Sequence, residues 1–144
     1  MFSKIIVGLN DLPESRHALC TAIDLARLCN AEIATVSILG DLPAYSSFSI
    51  VVDPGSPAAM MEEQRHRHED MHEKAANLAR EMGVHAHGAI AVGNEVREIL
   101  AFLKEHSTDL LVVGLLQHDF YLSRLWNSIY DLAQEATCSV LGVY

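Results

Sequence analysis

Basic residues are scarce in this chain of 144 residues. Ten lysines and arginines stand against nineteen aspartates and glutamates, and the formal net charge at pH 7 is −9. The basic side chains are scattered along the sequence and form no stripe that could follow a phosphate backbone. The charge balance therefore argues against nucleic acid as a partner.

Long apolar runs and an even set of cysteines are also missing. No apolar stretch approaches the roughly 18 residues of a membrane-spanning helix, so we expect no membrane partner. The first residues, MFSKIIVGLN, contain an apolar run too short for a signal peptide, and we expect a cytoplasmic protein. The three cysteines are odd in number and are interpreted as small buried side chains.

Short apolar runs alternate with stretches in which apolar residues recur at helical spacing. Strands are predicted at 4–9, 32–39, 84–92, 109–114 and 138–144, with a helix in each interval between them. Asp11, with Glu14 three positions later, predicts a capping box for the first helix, and Asn94 is the predicted cap of the third. Strict alternation favours a parallel sheet with helices on both faces, because right-handed crossovers leave few other topologies. We therefore predict one α/β domain over residues 1–144.

Ligands of such doubly wound sheets bind beyond the carboxyl ends of the strands, where the strand order reverses. This rule directs attention to Asn10, Leu39 and Gly114. The last of these opens the segment GLLQHDFYLSRLWNS, residues 114–128, at a transition from strand to helix. A phosphate-binding loop at this place needs several glycines, because its backbone must approach the phosphates closely and adopt positive φ angles. This segment has one glycine, so part of a phosphate site is missing.

Four segments together resemble the universal stress protein family: KIIVGLNDLPESRHAL, AEIATVSIL, VGNEVREILAFLKEHSTDLLVVG and SRLWNSIYDLAQEATCSVLGVY. The third is the most specific, since a glycine turn and a helix precede an aspartate that opens a buried strand ending in glycine. The resemblance implies a Rossmann-like sandwich of the adenine nucleotide alpha-hydrolase type. Its five parallel strands would follow the order 3-2-1-4-5, with an adenine-nucleotide pocket and usually a homodimer.

Nucleotide-binding members of that family carry G-x2-G-x9-G-[S/T] after the fourth strand. The matching positions in this chain are Gly114, Gln117, Asn127 and Ser128, so two of the three glycines are replaced. The aspartate that commonly ends the family's first strand is Asn10 in this sequence, followed by Asp11. By resemblance, the degenerate pocket comprises Asn10, Asp11, Ile38, Gly114, Gln117, Asn127 and Ser128. The chain thus looks more like the UspA-type branch, which keeps the fold but departs from the glycine motif.

Histidines suggest a second kind of site. His68 and His72 are one helical turn apart, a spacing that can chelate zinc, and His85 with His87 could complete such a site. The alternative interpretations are a solvated helix face for the first pair and a surface pair on an edge strand for the second. Without a third fixed ligand, we predict no metal site and regard His68 and His72 as weak candidates.

Catalysis is a further alternative. Asp11, His118 and Ser128 could meet near the reversal of strand order, but their spacing resembles no triad, so no catalytic residue is predicted.

The final strand, CSVLGVY, predicts an interface because an apolar edge strand invites association. Pairing with a second copy would place Val140, Leu141 and Val143 at the centre of a homodimer, as the resemblance also implies. The expected function is therefore a dimeric binding or regulatory module of the stress response, with an unknown protein partner. It would need no cofactor, and ATP or AMP binding is disfavoured. The alternatives are an ATP- or AMP-binding member with an altered loop and a nucleotide-hydrolysing or metal-dependent enzyme.

Overall fold

A computed structural model describes residues 1–40, 56–115 and 123–144, with the backbone alone at 56, 57 and 123–128. The strands are β1 (Lys4–Gly8), β2 (Glu32–Leu39), β3 (Ala86–Val92), β4 (Leu110–Gly114) and β5 (Ser139–Val143). The helices of the described ranges are α1 (Pro13–Cys29), α2 (Ser56–Glu81), α3 (Glu95–Glu105) and α4 (Ser123–Glu135). Most of the predicted connection 40–57 and part of the segment 114–128 lie outside the described residues.

The five strands form one parallel sheet in the order β3-β2-β1-β4-β5. This confirms the predicted doubly wound sheet and its strand order. Side chains alternate across the sheet, so Ile5 and Val7 of β1 pack towards α1 while Ile6 packs towards α3 and α4. Each of these three side chains is at most 3% exposed, and burying one contributes roughly 1.5–3 kcal/mol. The central strands therefore anchor two cores, one on each face.

The predicted cap residue is correct for α3 and wrong for α1. Asn94 caps α3, since its side-chain oxygen accepts a hydrogen bond from the Arg97 amide at 3.1 Å. Asp11 does not cap α1, because the helix starts at Pro13 and Leu12 occupies the cap position without a side-chain bond. Proline suits a first helical position, where its missing N–H is not needed. The capping-box spacing was present, but Pro13 moved the start of the helix beyond it.

Asp109 joins the amino ends of β1 and β4. Its carboxylate accepts hydrogen bonds from the Ser3 amide at 2.8 Å, the Ser3 hydroxyl at 2.8 Å and the Lys4 amide at 3.1 Å. Partial desolvation acts to raise the pKa of this carboxyl, but the bonds from Ser3 and Lys4 outweigh it and the pKa is lowered. The aspartate that opens the fourth strand therefore has a structural role, at the end of the sheet opposite the expected ligand site.

Two smaller observations concern the predictions from composition. Across the described ranges, no helix combines the length and apolarity that crossing a bilayer requires. The cysteines Cys20, Cys29 and Cys138 are free and half-buried rather than fully buried. Cys20 and Cys29 do not belong to the buried stripe of α1, which is formed by residues such as Ala22 and Ala26.

Candidate functional site

A cleft lies at the carboxyl ends of β1 and β4, where the strand order reverses. Asn10, Ile38 and Gly114 all line it, together with Ser37 and Glu95, so the structure brings these three predicted site residues together. The cleft has a volume of about 50 Å³. Ligand pockets of proteins commonly reach roughly 300–1,000 Å³. The part of the cleft formed by the described residues is therefore small.

Asn10 is engaged in the turn between β1 and α1. Its side-chain oxygen accepts a hydrogen bond from the backbone N–H of Leu12 at 2.9 Å. The backbone N–H of Asn10 donates to the Ser15 hydroxyl at 3.0 Å. The buried Ser15 hydroxyl also contacts the Gly8 carbonyl at 3.5 Å. The turn uses one lone pair of the Asn10 oxygen, which leaves the NH2 group and the second lone pair for a ligand. An aspartate at this position would have only hydrogen-bond acceptors and could not donate to a ligand.

Gly114 is required by packing at this end of the sheet. A Cβ atom at Gly114 would lie 2.5 Å from the carbonyl carbon of Glu14 and 2.7 Å from the Ser15 amide nitrogen. Backbone atoms cannot swing aside as a flexible side chain can, so only glycine lets α1 approach β4 this closely. Packing against α1 therefore explains why a glycine occupies position 114, at the start of the phosphate motif, whether or not a ligand binds.

The remaining predicted pocket residues are not gathered in the cleft by any described contact. Asp11 lies in a neighbouring groove between α1 and α2, beside Arg16 and Arg67. Gln117, like His118 of the catalytic alternative, is outside the described residues.

Asn127 and Ser128 belong to α4, which begins at Ser123. The backbone N–H groups that have no partner within a helix are those of its first turn. The N–H groups of Asn127 and Ser128 come after that turn. The amides that could meet a phosphate at the start of α4 are therefore those around Ser123.

A second polar group, which we call the His72 cluster, consists of Thr35, Ser37, His68 and His72. The His72 ring bridges the two hydroxyls of β2, with Nδ1 at 2.7 Å from Thr35 Oγ1 and Nε2 at 2.7 Å from Ser37 Oγ. His68 Nδ1 contacts the same Ser37 oxygen at 2.7 Å. Thr35, Ser37 and His72 are 1%, 1% and 8% exposed. The interpretation of this helix face as solvated is therefore wrong at His72.

Gly88 makes room for the buried imidazole. It pairs with Thr35 across the sheet, and a Cβ atom there would lie 2.8 Å from His72 Nδ1. The approach of α2 to β3 thus depends on the absence of a side chain at Gly88. A glycine within a strand pattern is a known sign of such close approach, and it was the one signal in the sequence that could have located His72.

Burial controls the protonation of the cluster. Desolvation lowers the pKa of His72 from 6.5 to about 4, and the neighbouring His68 lowers it further in the same direction. The pKa of His68 is also lowered, mainly by desolvation; Asp11 acts to raise it and Arg67 to lower it. Both imidazoles are therefore neutral at pH 7.

The geometry does not favour the zinc hypothesis. Three of the imidazole nitrogens of His68 and His72 are directed at hydroxyl groups, and no set of three His, Cys, Asp or Glu side chains in the described ranges converges as metal ligands. His85 and His87 contact each other, with ring centroids 4.5 Å apart. His87 pairs with Ala34, which faces α3, so its side chain lies on the opposite face of the sheet from His72. The second pair therefore cannot complete a site with the first.

The β5 strand is at one edge of the sheet, as the dimer hypothesis requires. Val140 packs on the α3 and α4 side and Leu141 and Val143 on the α1 side, and all three are half-buried. Tyr130 and Tyr144 are 61% and 58% exposed. The outer edge of β5 is therefore an apolar strand followed by an exposed aromatic residue.

Comparison with known proteins identifies the family. The family model described as "Universal stress protein family" matches residues 1–143. Universal stress protein C of Salmonella typhi is 29% identical over 125 residues, which cover 83% of this chain and 87% of that protein.

Among solved structures, universal stress protein UspA from Lactobacillus plantarum superposes with a TM-score of 0.80 at 14% identity, covering 99% of this chain and 98% of that one. A universal stress protein in complex with cAMP gives a TM-score of 0.69 at 18% identity, covering 99% of this chain and 97% of that one. The match to the family model extends over nearly the whole sequence, and this chain belongs to the universal stress protein family.

Proposed function

We propose that this universal stress protein acts as a dimeric binding module of the stress response, in the manner of the UspA-type branch, and that it binds ATP weakly or not at all. Its action is by binding rather than by turnover, in the cytoplasm, on a protein partner. The observation that carries this proposal is the β5 edge, where the half-buried Val140, Leu141 and Val143 end the sheet. A second copy would continue the sheet and cover these side chains.

The direction of the backbone groups on β5 supports pairing through its outer side. The Ser139 amide donates to the Asp109 carbonyl at 3.2 Å, and the Val143 carbonyl accepts from the Leu115 amide at 2.6 Å. Ser139 and Val143 therefore direct their hydrogen-bonding groups towards β4. Successive residues of an extended strand point these groups to opposite sides, so Val140 and Gly142 direct theirs outwards. Their N–H and C=O groups are the ones a partner strand would bind.

Val140→Pro tests this interface. Proline removes the outward N–H and leaves the inward ladder to β4 intact, which edge strands tolerate. Val140→Ala is the matched control, since it trims the same side chain but keeps the N–H group. We expect sedimentation to show a dimer for the wild type and for Val140→Ala, and a monomer for Val140→Pro. A Val140→Pro protein that folds and still sediments as a dimer contradicts the proposal.

Weak nucleotide binding is supported by the residues at and beyond the end of β4. At the positions that match the family's phosphate motif beyond β4, Gln117 and Asn127 replace two of the three glycines, and Gly114 is needed for packing against α1. A second candidate function is the binding of an adenine nucleotide with one phosphate. It is favoured by the structural neighbour in complex with cAMP.

Nucleotide content separates the two candidates. Protein purified without added nucleotide is heat-denatured, and the supernatant is analysed by chromatography for ATP, AMP and cAMP. We expect far less than one nucleotide per chain. Titration calorimetry with ATP and with AMP provides the second measurement. A stoichiometric ATP peak refutes weak ATP binding, and a stoichiometric AMP or cAMP peak establishes the second candidate.

A further inference from the structure

The hydrogen bonds of the His72 cluster have a direction, which follows from the donors and acceptors present. The Thr35 hydroxyl donates to the His87 carbonyl at 3.4 Å. A hydroxyl has one proton, and we infer that Thr35 gives it to this carbonyl and accepts a bond from His72 Nδ1, 2.7 Å away. Neutral His72 therefore carries its proton on Nδ1, and its Nε2 atom is an acceptor.

The rest of the chain of bonds follows from this tautomer. Nε2 of His72 accepts the proton of Ser37, whose oxygen is 2.7 Å away. The Ser37 oxygen then accepts from His68, which donates through Nδ1 at 2.7 Å. Each group therefore donates a hydrogen bond to the next, in the order His68, Ser37, His72, Thr35 and the His87 carbonyl of β3. Each of these buried polar groups has a partner as long as His72 is neutral.

Protonation affects the two imidazoles differently. A proton added to His68 enters at Nε2 and leaves its Nδ1–H bond to Ser37 unchanged. A proton added to His72 enters at Nε2, so two N–H donors then face the Ser37 oxygen and the hydroxyl proton loses its acceptor. Both donor nitrogens are 2.7 Å from that oxygen, so the charge on His72 lies against the N–H group of the partly buried His68 ring. Only His68 can be charged without breaking the chain of bonds.

Few side chains of α2, the helix that carries both histidines, are fully buried. A groove of about 890 Å³ lies between α1 and α2, lined by residues such as Met71 and Leu78. The fully buried side chains among the described residues of α2 are those of Ala75 at 5% and Ala79 at 0% exposure and the His72 ring against Gly88, while Met71 and Leu78 pack partly buried against the same core. His72 is therefore the large buried side chain that bonds the middle of α2 to the sheet.

We propose that the His72 cluster is an acid-sensitive clasp, which holds α2 against β2 and β3 while His72 is neutral and releases the helix when His72 is charged. Among the described residues, the charged groups that act on the pair are Asp11, from the connection between β1 and α1, and Arg67 on α2 itself. From the sheet, β2 presents the two hydroxyls and β3 presents the His87 carbonyl. The clasp is at the sheet edge opposite β5 and does not depend on the proposed dimer.

Amide hydrogen exchange measured from pH 7.5 to pH 4, and corrected for intrinsic exchange rates, tests the release of α2. Below pH 6.5 we expect the protection of α2 amides in the wild type to fall by up to about tenfold per pH unit, as binding of one proton requires. The amides of β1 and β4 should lose much less protection. A parallel loss at all amides refutes a local release.

Two variants separate His72 from other histidines. His72→Gln keeps a neutral polar side chain that cannot titrate, and we expect it to remove most of the pH dependence of α2 protection. His66→Gln is the matched control on the same helix, because His66 is exposed and contacts the exposed Glu62 and Glu69 at 3.3 and 3.5 Å. It should retain the wild-type dependence. Equal pH dependence in His72→Gln and His66→Gln overturns the proposal.

Nitrogen-15 NMR of the wild type provides a test that needs no variant. At pH 7 we expect His72 as the Nδ1–H tautomer, and on acidification we expect it to titrate well below His68. An Nε2–H tautomer, or titration of His72 at or above the ordinary histidine value, refutes the direction of the bonds and with it the clasp.

Discussion

Gly88→Ala is the substitution whose effect the structure specifies most fully. The new Cβ atom would lie 2.8 Å from Nδ1 of His72 and 2.9 Å from both Cβ and Cγ, whereas ordinary contacts are 3.4–4 Å. Cβ of His72 is attached directly to the α2 backbone, so a change of rotamer cannot relieve the contact. Either the helix or the strand must move by several tenths of an ångström.

Two effects of this substitution lower the free energy of unfolding, and one effect raises it. Overpacking a close-packed site costs about 1–3 kcal/mol. Displacing the ring also weakens its hydrogen bond to Thr35, a loss of about 1 kcal/mol. Against this, replacing glycine by alanine restricts the unfolded chain, which favours the folded state by about 0.4–1 kcal/mol. We therefore expect Gly88→Ala to lower the free energy of unfolding by about 1–3 kcal/mol.

Urea denaturation of a double-mutant cycle measures the effect. In a His72→Gly background all three close contacts are absent, so Gly88→Ala should be neutral or slightly stabilising, with a coupling of about 2 kcal/mol between the two sites. Gly40→Ala is the matched control, because a Cβ there meets no atom within 4 Å, and it should change stability by at most about 0.5 kcal/mol. If Gly88→Ala costs the same in both backgrounds, the close contact with His72 is not the cause.

Two further predictions concern stability. Gly114→Ala should lower the free energy of unfolding by about 3 kcal/mol in urea denaturation, because its Cβ would lie 2.5 Å from the Glu14 backbone; an unchanged midpoint would show that α1 does not depend on this contact. The wild type should lose up to about 3 kcal/mol between pH 7.5 and pH 4, since the pKa of His72 is 6.5 unfolded and about 4 folded. The unfolded state binds the proton first, so stability is full above pH 6.5 and falls as the pH decreases. A free energy of unfolding that stays flat over this range contradicts the lowered pKa.

Local sequence signals predicted those parts of the structure that depend on near neighbours. The apolar runs and helical stripes identified all five strands, and Asn94 was correctly predicted as a cap because its bond to Arg97 spans three residues. The same kind of signal failed at Asp11, where a second local preference, that of Pro13 for the first helical position, competed with the capping box. Which of two local preferences prevails depends on how α1 docks against the sheet.

The sequence predicted that three of the proposed pocket residues lie together, but not the contacts that each of them makes. Parallel strands end at the same edge of the sheet, so Asn10, Ile38 and Gly114 had to lie close together. The sequence could not show that the Asn10 oxygen is used within its own turn, or that Gly114 contacts the backbone of Glu14. Both facts depend on the exact approach of α1 to β4.

The sequence by itself determined the alternation of strands and helices, and hence the parallel sheet, because apolar periodicity and right-handed crossovers are properties of short stretches of chain. Only the tertiary structure decided that His72 is buried. Its neighbours in the sequence are charged and polar, and its neutral state depends on Thr35, Ser37 and Gly88, which come from two other strands. Burial is a property of the packed layers, so a side chain that looks solvated in sequence can hold a helix against the sheet.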